Sequence, residues 1–217
     1  MAAQTPDELA ALRRDYQQGG LSETEAGVDP VALFDRWFDE ARRGGVLEPN
    51  AMVLSTVDPD GRPSARAVLL KGLTDQGFVF YTNHDSRKGR DLAGDPRCAL
   101  TFTWLEVQRQ VRIEGAAAPV ADAVSDAYFA GRPRDSQLGA WASTQSSAVA
   151  GREELERAFE SARERFGDGP VSRPPYWGGY VVRPERIEFW QGRHGRMHDR
   201  LAFARAEDAW TRVRLAP

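Results

Sequence analysis

Basic side chains recur inside and beside apolar, strand-like segments of this chain. Arg66 and Lys71 bracket the apolar run AVLL, and Arg87-Lys88 follow the run FVFYTNHDS. A single cation of this kind is usually explained by a solvated strand face, since Lys and Arg are rarely buried without a partner. Their recurrence predicts several cations that converge on one phosphate dianion, with Arg as a planar fork and Lys as a point charge.

Two more features extend this predicted anion site. Arg109 and Arg112 flank Gln110-Val111 in a further apolar run. Ser86 stands where a helix is predicted to begin, and the N–H groups and positive dipole end of a helix N-terminus attract anions. We therefore expect these cations to meet at one mouth of a barrel.

A second cluster lies at residues 128–137, where two arginines and two hydroxyls can grip a second phosphate. Its members are Tyr128, Arg132, Arg134 and Ser136. The alternative is a helix C-terminus followed by a loop, whose arginines complement the helix dipole. Spacing alone leaves the two interpretations even.

A third cluster, Arg196, His198 and Arg200, follows the aromatic residue Trp190. An isolated histidine is more often structural than catalytic, but three such groups after an aromatic strand favour a site for a planar anionic ligand. In an extended segment Arg196 and His198 would point to the same side, because side chains alternate with period 2. Met197 would then point away into the core.

Other familiar sites are not indicated. The sequence has no GxGxxG and no GxxxxGK[ST] motif, which argues against a Rossmann site and a P-loop. The histidines lack HExxH spacing and one cysteine cannot complete a zinc cage, so no metal is predicted. Ser143, Ser146 and Ser147 lie outside any GxSxG elbow.

Length and charge narrow the class of protein. The chain has 217 residues, enough for one large domain or two small ones, and its net charge of -3 argues against a general nucleic-acid surface. A hydrophobic content of 41% predicts a globular fold. The polar start MAAQTPDELAALRRD is unlike a signal peptide, and no apolar run approaches the ~20 residues that span a bilayer. We expect a cytoplasmic protein with neither nucleic-acid nor membrane partners.

Helix signals precede and interrupt the strands that must position these clusters. A capping box at residues 5–8 predicts a short helix ending near Gly19-Gly20, within an N-terminal arm of residues 1–28. Asp29-Pro30 begins a second helix, with apolar residues at helical spacing. Further helices are predicted at 86–92, 119–130 and 152–166.

The remaining segments alternate strand-like runs with turns and lack the regular strand and helix alternation of a parallel sheet. The predicted class is therefore predominantly β with flanking helices (α+β), an antiparallel closed or split β-barrel in a single domain over 29–217. The predicted strands are MVLSTV, RPSARAVLLKG, FVFYTN, RCALTFTWLE, RQVRIEGAAAPV, GGYVVRP, RIEFWQG, LAFARA and WTRVRL.

These segments resemble the pyridoxine/pyridoxamine 5'-phosphate oxidase family, whose members are FMN enzymes with a split β-barrel fold. The resemblance runs from about Arg13 to Pro217. It is carried by RAVLLKG (66–72), YTNHDSRKG (81–89), RQVRIEG (109–115), GRPRDSQLGAWAS with QS (131–146), PPYWGGY (174–180), IEFWQG (187–192), RMHDR (196–200) and RLAP (214–217).

The resemblance implies two sets of contacts. FMN contacts would be Arg66, Ala67, Val68, Leu69, Leu70, Lys71, Tyr81, Thr82, Arg87, Lys88, Gln110, Gln145, Ser146, Trp190 and Arg200. Substrate contacts would be Lys71, Tyr128, Arg132, Ser136, Arg196, Met197 and His198, with Arg196 and His198 as the catalytic pair. Met197 stands where the family pattern leads us to expect Leu, a change that conserves volume.

The resemblance also implies an assembly, a homodimer with FMN at the subunit interface. Gln145-Ser146 are expected to reach across from the partner. A second pyridoxal phosphate site would involve the arm segment Arg13-Arg14-Asp15-Tyr16.

The implied reaction is the oxidation of pyridoxamine or pyridoxine 5'-phosphate to pyridoxal 5'-phosphate, with oxygen as acceptor and hydrogen peroxide as product. Three alternatives stay open. The cluster Tyr128, Arg132 and Ser136 argues against a phenazine-type FMN oxidase, and the paired RAVLLK and SRK segments argue against a deazaflavin reductase. A non-catalytic flavin or pyridoxal phosphate carrier would need the same pocket.

Overall fold

A computed structural model describes residues 6–11, 16, 19–207 and 209–217. The fold divides into two compact units. The first comprises Met1–Pro49, Phe102–Arg112 and Arg186–Pro217, and the second Asn50–Thr101 and Ile113–Glu185. The single domain over residues 29–217 stays a prediction.

Seven helices occur in the described chain, and two short 3-10 turns lie at Leu105–Val107 and His194–Arg196. The helices are α1 (Pro6–Ala11), α2 (Glu23–Ala26), α3 (Pro30–Arg43), α4 (Arg87–Gly94), α5 (Asp122–Ala130), α6 (Arg134–Ala142) and α7 (Arg152–Phe166). In the part of the chain that the structure describes, no helix is long and apolar enough to cross a membrane.

Nine strands form an antiparallel arrangement among the described residues. They are β1 (Ala51–Val57), β2 (Pro63–Leu69), β3 (Gly72–Thr74), β4 (Gly77–Asn83), β5 (Arg97–Trp104), β6 (Arg109–Pro119), β7 (Trp177–Gln191), β8 (Asp199–Ala206) and β9 (Ala209–Arg214). Hydrogen bonds join them in the order β2-β1-β5-β6-β7-β4-β3, with β8 paired to β7 and β9 to β8. The prediction of antiparallel strands with flanking helices is confirmed.

The first unit has an aromatic core on one face of α3. Phe34 lies edge-on to Phe102 at 5.1 Å between ring centroids, and Trp37 lies edge-on to Phe189 at 5.2 Å. The α3 signals acted as predicted, because Asp29 caps the helix by accepting from the Val31 N–H and Pro30 opens it.

The second unit packs α5, α6 and α7 around a separate cluster. Phe129, Leu138, Ala162, Val171 and Trp177 are its buried members. Cys98, the single cysteine, lies in β5 of this unit, where burial and then the nearby Asp95 charge raise the pKa of its thiol to about 12.

Several elements differ from the sequence prediction. The run expected as one strand over residues 62–72 is β2 followed by a separate short strand, β3. The two strands expected at 178–184 and 186–192 are one strand, β7, which continues through Pro184. Gly115 allows the backbone of Arg183 and Pro184 to pass close by, because a Cβ at position 115 would clash with it. The helices α2 and α6 were not predicted. Ser22 and Glu25 form a capping box for α2, whereas α6 begins after Pro133 without a side-chain cap.

The predicted arm helix is described only at α1. Residues 12–15, 17 and 18 lie outside the described residues, and with them Arg13, Arg14 and Asp15 of the expected second pyridoxal phosphate site.

Candidate active site

A cavity of ≈ 840 Å³ opens in the second unit. Both basic clusters predicted for phosphates contribute to its wall. The lining includes Arg66, Ala67, Val68, Leu69, Lys71, Tyr81, Thr82, Arg87, Lys88, Tyr128, Arg132, Ser136, Gln145 and Ser146. Leu70, expected among the FMN contacts, is buried and lies outside this lining.

Lys88 is a buried cation whose hydrogen-bond partners are neutral oxygens. Its Nζ atom donates to Thr82 Oγ1 at 3.1 Å, to Gln145 Oε1 at 3.1 Å and to Ser86 Oγ at 3.3 Å. Burial, followed by the nearby Arg66 charge, lowers the pKa of this ammonium to about 8. A buried charge without a counterion is costly, so the position favours an anionic ligand.

Arg66 is held in place by buried polar groups. Its Nη1 atom donates to Thr56 Oγ1 at 2.7 Å, and its Nη2 atom lies 3.6 Å from Asp91 Oδ2 on α4. Thr56 in turn donates to Asp91 at 2.6 Å. Burial lowers the pKa of Arg66 despite the Asp91 charge. The guanidinium is therefore fixed in direction before any ligand binds.

The N-terminus of α4 completes this first group of anion-binding residues. Ser86 caps the helix as predicted, accepting from the Gly89 N–H at 3.3 Å. Arg87, the first residue of α4, lines the cavity and pairs with Asp58 at 3.8 Å. Helix dipole, two arginines and a lysine thus converge on one part of the cavity wall.

Stacked aromatic rings form another part of the wall. Tyr81 and Tyr128 lie face to face, 3.8 Å between centroids and 3° between planes, and Trp177 lies 5.5 Å from Tyr81 at 9°. Gly179 makes the room, because a Cβ there would meet the Tyr81 ring at 2.8 Å. Burial raises the pKa of both tyrosines, so each hydroxyl stays protonated and can donate to a phosphate.

The second basic cluster is divided by the structure. Arg132 lies 4.5 Å above the Trp177 ring, and its buried Nη1 atom has no hydrogen-bond partner within the described residues. Ser136 lines the same cavity. Arg134, by contrast, binds the carbonyls of Gly167 and Gly169 and is not in the lining. Arg134 therefore binds carbonyls just after the C-terminus of α7, and not the end of the preceding helix α5 that the helix-dipole alternative concerned.

Gln145 and Ser146 lie in the cavity of their own chain. Gln145 accepts from Thr82 and Lys88, and Ser146 Oγ accepts from the Arg87 N–H at 3.2 Å. The expectation that they reach across from a partner is wrong for this pair. The long loop after α6 brings them back to α4, a return that local sequence patterns do not encode.

The other predicted contacts belong to the first unit. Gln110 and Trp190 line a cavity of ≈ 250 Å³ together with Tyr16. Arg200 donates to Glu188 at 2.8 Å and to the Ala216 carbonyl at 2.9 Å, and the Glu188 bond raises its pKa. Arg109 and Arg112 pair with Glu40 and Glu188 respectively, so these two flanking cations are structural in this unit.

The segment Arg196-Met197-His198 is not extended. Arg196 ends a 3-10 turn with φ 61°, in the left-handed region, so the period-2 argument does not apply. Met197 is 70% exposed, and the expectation that it points into the core is wrong. His198 Nδ1 accepts from the Arg193 N–H at 3.1 Å, which leaves the proton of a neutral ring on Nε2.

His198 lies within an aromatic group. Its ring centroid is 4.6 Å from Trp190 and 5.6 Å from Tyr16. Burial and then the Arg196 charge lower the pKa of His198, which favours the neutral imidazole. Tyr16 is the described member of the expected arm site, and it contacts this group.

Several lining residues were not predicted as contacts, namely Ser64, Ala65, Asn83, Gly139, Ala140, Ser143 and Trp177. Trp177 had a usable signal, since it precedes two glycines at a strand start. Chemically, the wall offers two groups of phosphate donors with stacked aromatic rings nearby, which suits aromatic ligands that carry phosphate monoesters.

Comparison with known proteins agrees with a site for phosphate-bearing aromatic ligands. Residues 38–166 match the family model described as pyridoxamine 5'-phosphate oxidase, and residues 177–217 match the pyridoxine 5'-phosphate oxidase C-terminal dimerisation region. A pyridoxine/pyridoxamine 5'-phosphate oxidase of Rubrobacter xylanophilus is 60% identical over 97% of both chains. One from Cupriavidus necator is 56% identical over 97% of this chain and 99% of its own.

Two solved structures share the fold. PhzG from Burkholderia lata 383, in complex with tetrahydrophenazine-1-carboxylic acid, has a TM-score of 0.86 at 30% identity, covering 94% of this chain and 100% of its own. A pyridoxamine 5'-phosphate oxidase-related, FMN-binding protein from Nostoc punctiforme has a TM-score of 0.69 at 16% identity, covering 88% and 100%. The predicted split-barrel class is confirmed. Because both family models match and relatives match over nearly their whole length, the chain belongs to the pyridoxine/pyridoxamine 5'-phosphate oxidase family.

Proposed function

We propose that this chain is an FMN-dependent oxidase that converts pyridoxamine or pyridoxine 5'-phosphate to pyridoxal 5'-phosphate in vitamin B6 biosynthesis and salvage. One observation carries the proposal. A single cavity contains two separate anion-binding groups, Lys88 with neutral partners and Arg132 with an unpaired guanidinium nitrogen. A cofactor and a substrate that each end in a phosphate monoester account for both.

The first group fits the FMN phosphate. Arg66, Arg87 and Lys88 would hold its charge, and the Ser86-capped start of α4 adds the positive end of a helix dipole. A terminal monophosphate suits this set better than the bridging diphosphate of FAD. Bound FMN would supply the two-electron redox chemistry, and the protein contributes binding, orientation and electrostatics.

The second group fits the substrate phosphate. Arg132 would donate its unpaired Nη1, with Lys71, the Tyr128 hydroxyl and Ser136 as further donors. Charge-assisted bonds of this kind discriminate strongly against a substrate without phosphate, because the buried donors would stay unpaired.

The remaining predicted contacts would come from a second copy. We infer a homodimer in which Arg196 and His198 of the partner subunit orient the pyridine ring and its C4' substituent, while Gln110, Trp190 and Arg200 of the partner subunit contact the flavin. The match of residues 177–217 to a dimerisation region supports this arrangement. A closed C2 dimer would contain two such sites.

The overall reactions balance with oxygen as acceptor. The amine substrate, oxygen and water yield the aldehyde, ammonia and hydrogen peroxide. The alcohol substrate and oxygen yield the aldehyde and hydrogen peroxide. In both, the residues of the second group hold the substrate while a hydrogen leaves C4' with its electron pair, so misplacement of the ring would slow the chemical step.

A phenazine-type reaction is the second candidate, favoured by the likeness to PhzG. That protein is described with a carboxylic acid bound, whereas Tyr128, Arg132 and Ser136 here form a site suited to a phosphate. A non-catalytic carrier built on the same cavity is the third.

One experiment separates these candidates. Protein reconstituted with FMN is mixed under air with pyridoxamine 5'-phosphate, and peroxide and aldehyde are measured together. The proposal requires equimolar peroxide and aldehyde, and much weaker turnover of unphosphorylated pyridoxamine. Binding without peroxide release would identify a carrier, and the absence of both binding and turnover would favour a different substrate.

A further inference from the structure

We propose that Arg173 is a positioning residue for the substrate phosphate, acting through α5 and Trp177. The inference rests on the proposed function. Arg173 does not line the cavity, and it was not among the residues singled out from the sequence.

The Arg173 guanidinium joins three groups. Its Nε atom donates to Asp126 Oδ1 at 2.5 Å, its Nη2 atom to Asp122 Oδ1 at 2.8 Å and its Nη1 atom to the Trp177 carbonyl at 2.6 Å. The Arg173 side chain is 12% exposed, so little water competes at its end of these bonds. The planar fork of an arginine suits this arrangement, whereas a lysine can satisfy only part of it.

These bonds fix the N-terminal half of α5. Ala121 at its N-cap position makes no side-chain capping bond, so the helix start depends on other anchors. Arg173 supplies two through Asp122 and Asp126. Ser125 supplies a third by accepting from the Gly179 N–H at 3.1 Å.

The other end of α5 carries the substrate-phosphate donors. Tyr128 is in its last turn, and Arg132 follows two residues after the helix. Phe129 lies edge-on to Trp177 at 5.0 Å, and Arg132 lies 4.5 Å above the same ring. Arg173 therefore holds both the helix that bears the donors and the backbone of the tryptophan on which Arg132 rests.

This linkage predicts a specific kinetic signature for Arg173→Gln in the FMN-loaded enzyme. Because the change loosens Tyr128 and Arg132 without removing them, we expect KM for pyridoxamine 5'-phosphate to rise about threefold to tenfold, less than for loss of a direct phosphate donor. The inhibition constant of inorganic phosphate should rise in parallel. We expect kcat to change less than about twofold, since a saturating substrate restores the geometry.

Four further variants sharpen the test. Asp126→Asn removes the same ion pair by changing an exposed carboxylate, and it should raise KM as Arg173→Gln does. This variant keeps the proposal falsifiable if Arg173→Gln does not fold. The Arg173→Gln and Asp126→Asn changes together should be no worse than Arg173→Gln alone. Arg173→Lys should restore part of the affinity. Arg97→Gln breaks an exposed ion pair with Asp95 in the same unit and is the matched control.

The outcomes are distinguishable. Unchanged KM and phosphate inhibition in both single variants would overturn the inference while leaving the oxidase intact. An equal loss of kcat/KM for phosphorylated and unphosphorylated substrates would also overturn it, because a purely structural role affects both. If the wild-type holoenzyme releases no peroxide with pyridoxamine 5'-phosphate, the proposed function itself fails.

Discussion

The Lys88 ammonium donates to Gln145 Oε1 at 3.1 Å, although 57 residues separate the two in the chain. This bond ties the start of α4 to the loop after α6. Thr82 also donates to the same amide oxygen, at 3.2 Å. The described hydrogen-bond partners of this buried ammonium are neutral oxygens, so they position it without neutralising its charge.

Lys88 should make FMN binding depend on pH. The pKa of the free ammonium is lowered to about 8, and a bound phosphate requires the charged form. Above pH 8 the free site loses its proton, so the FMN dissociation constant should rise, by at most about tenfold per pH unit for one linked proton. Quenching of FMN fluorescence between pH 7 and pH 10 measures it. Lys88→Met should bind weakly with no such dependence, and an unaltered slope in that variant would assign the titration to another group.

Arg132→Ala should weaken substrate binding far more than flavin binding. Its Nη1 atom has no hydrogen-bond partner in the part of the chain that the structure describes, and a charge-assisted bond to phosphate contributes ~1.5 to 3 kcal/mol. We expect KM for pyridoxamine 5'-phosphate to rise at least about tenfold, with flavin content near that of the wild type. Steady-state kinetics and absorbance of the bound flavin check this. Equal turnover of phosphorylated and unphosphorylated substrates by the wild type would show that the 128–136 cluster is only a helix terminus.

Arg196→Met should slow flavin reduction while FMN stays bound, because the guanidinium would hold the substrate ring at reacting distance. His198→Ala should act in the same direction more mildly. Met197→Leu is the matched control and should be nearly silent, since Met197 is exposed. Anaerobic single-turnover mixing at saturating substrate gives the rates. Wild-type rates in both polar variants would place this segment on the surface and outside the site.

The homodimer can be tested by mixing two variants that are each impaired in a different part of the site. If each site combines the second unit of one chain with the first unit of the other, a dimer of Arg132→Ala and Arg196→Met chains contains one intact site. Random exchange would then restore about a quarter of wild-type activity. Sites built within one chain would stay defective in every dimer, so no recovery would contradict the shared arrangement. Sedimentation checks that each variant and the mixture are dimeric.

His84 should make stability depend on pH. Its ring lies 5.0 Å from Tyr180, and burial, followed by the Arg173 charge, lowers its pKa although Asp85 and Asp122 oppose this. The folded chain resists protonation, whereas the unfolded chain takes up a proton near pH 6.5. The free energy of unfolding should therefore fall as the pH drops below 6.5, by less than the single-proton limit of about 1.4 kcal/mol per pH unit, because solvent screens a half-buried ring.

The matched variant is His84→Phe, which keeps a ring against Tyr180 without a titrating group. Urea unfolding of both proteins at pH 7.5 and pH 5.5 gives the comparison, in which common carboxylate effects cancel. A difference between the two proteins that stays constant with pH would mean that His84 titrates alike in both states.

Local sequence signals, such as capping residues, correctly predicted where several helices begin. Asp29 and Ser86 cap the helices that they were expected to begin, and α7 has the predicted limits 152–166. The prediction failed where distant contacts decide. Pro184 suggested a strand break, yet Gly115 on another strand gives β7 room to continue.

The sequence predicted the charged residues of the site, but not the hydrogen bonds that hold them in place. Cations beside apolar runs identified Arg66 and Lys88 as cavity residues, and the cluster at residues 128–137 identified Arg132. Nothing local to Arg66 indicates that Asp91 and Thr56 hold it, and nothing near Gln145 indicates that it returns to its own α4. The left-handed backbone of Arg196 likewise overrides the alternation expected of a strand.

The half-buried thiol of Cys98 has a consequence for an enzyme that makes hydrogen peroxide. Peroxide oxidises thiolates, and a thiol whose pKa is raised to about 12 contains almost none at neutral pH. Since the chain has no other cysteine, it offers its own product no reactive sulfur of this kind. Sulfenic acid formation at Cys98 should therefore be slow at neutral pH.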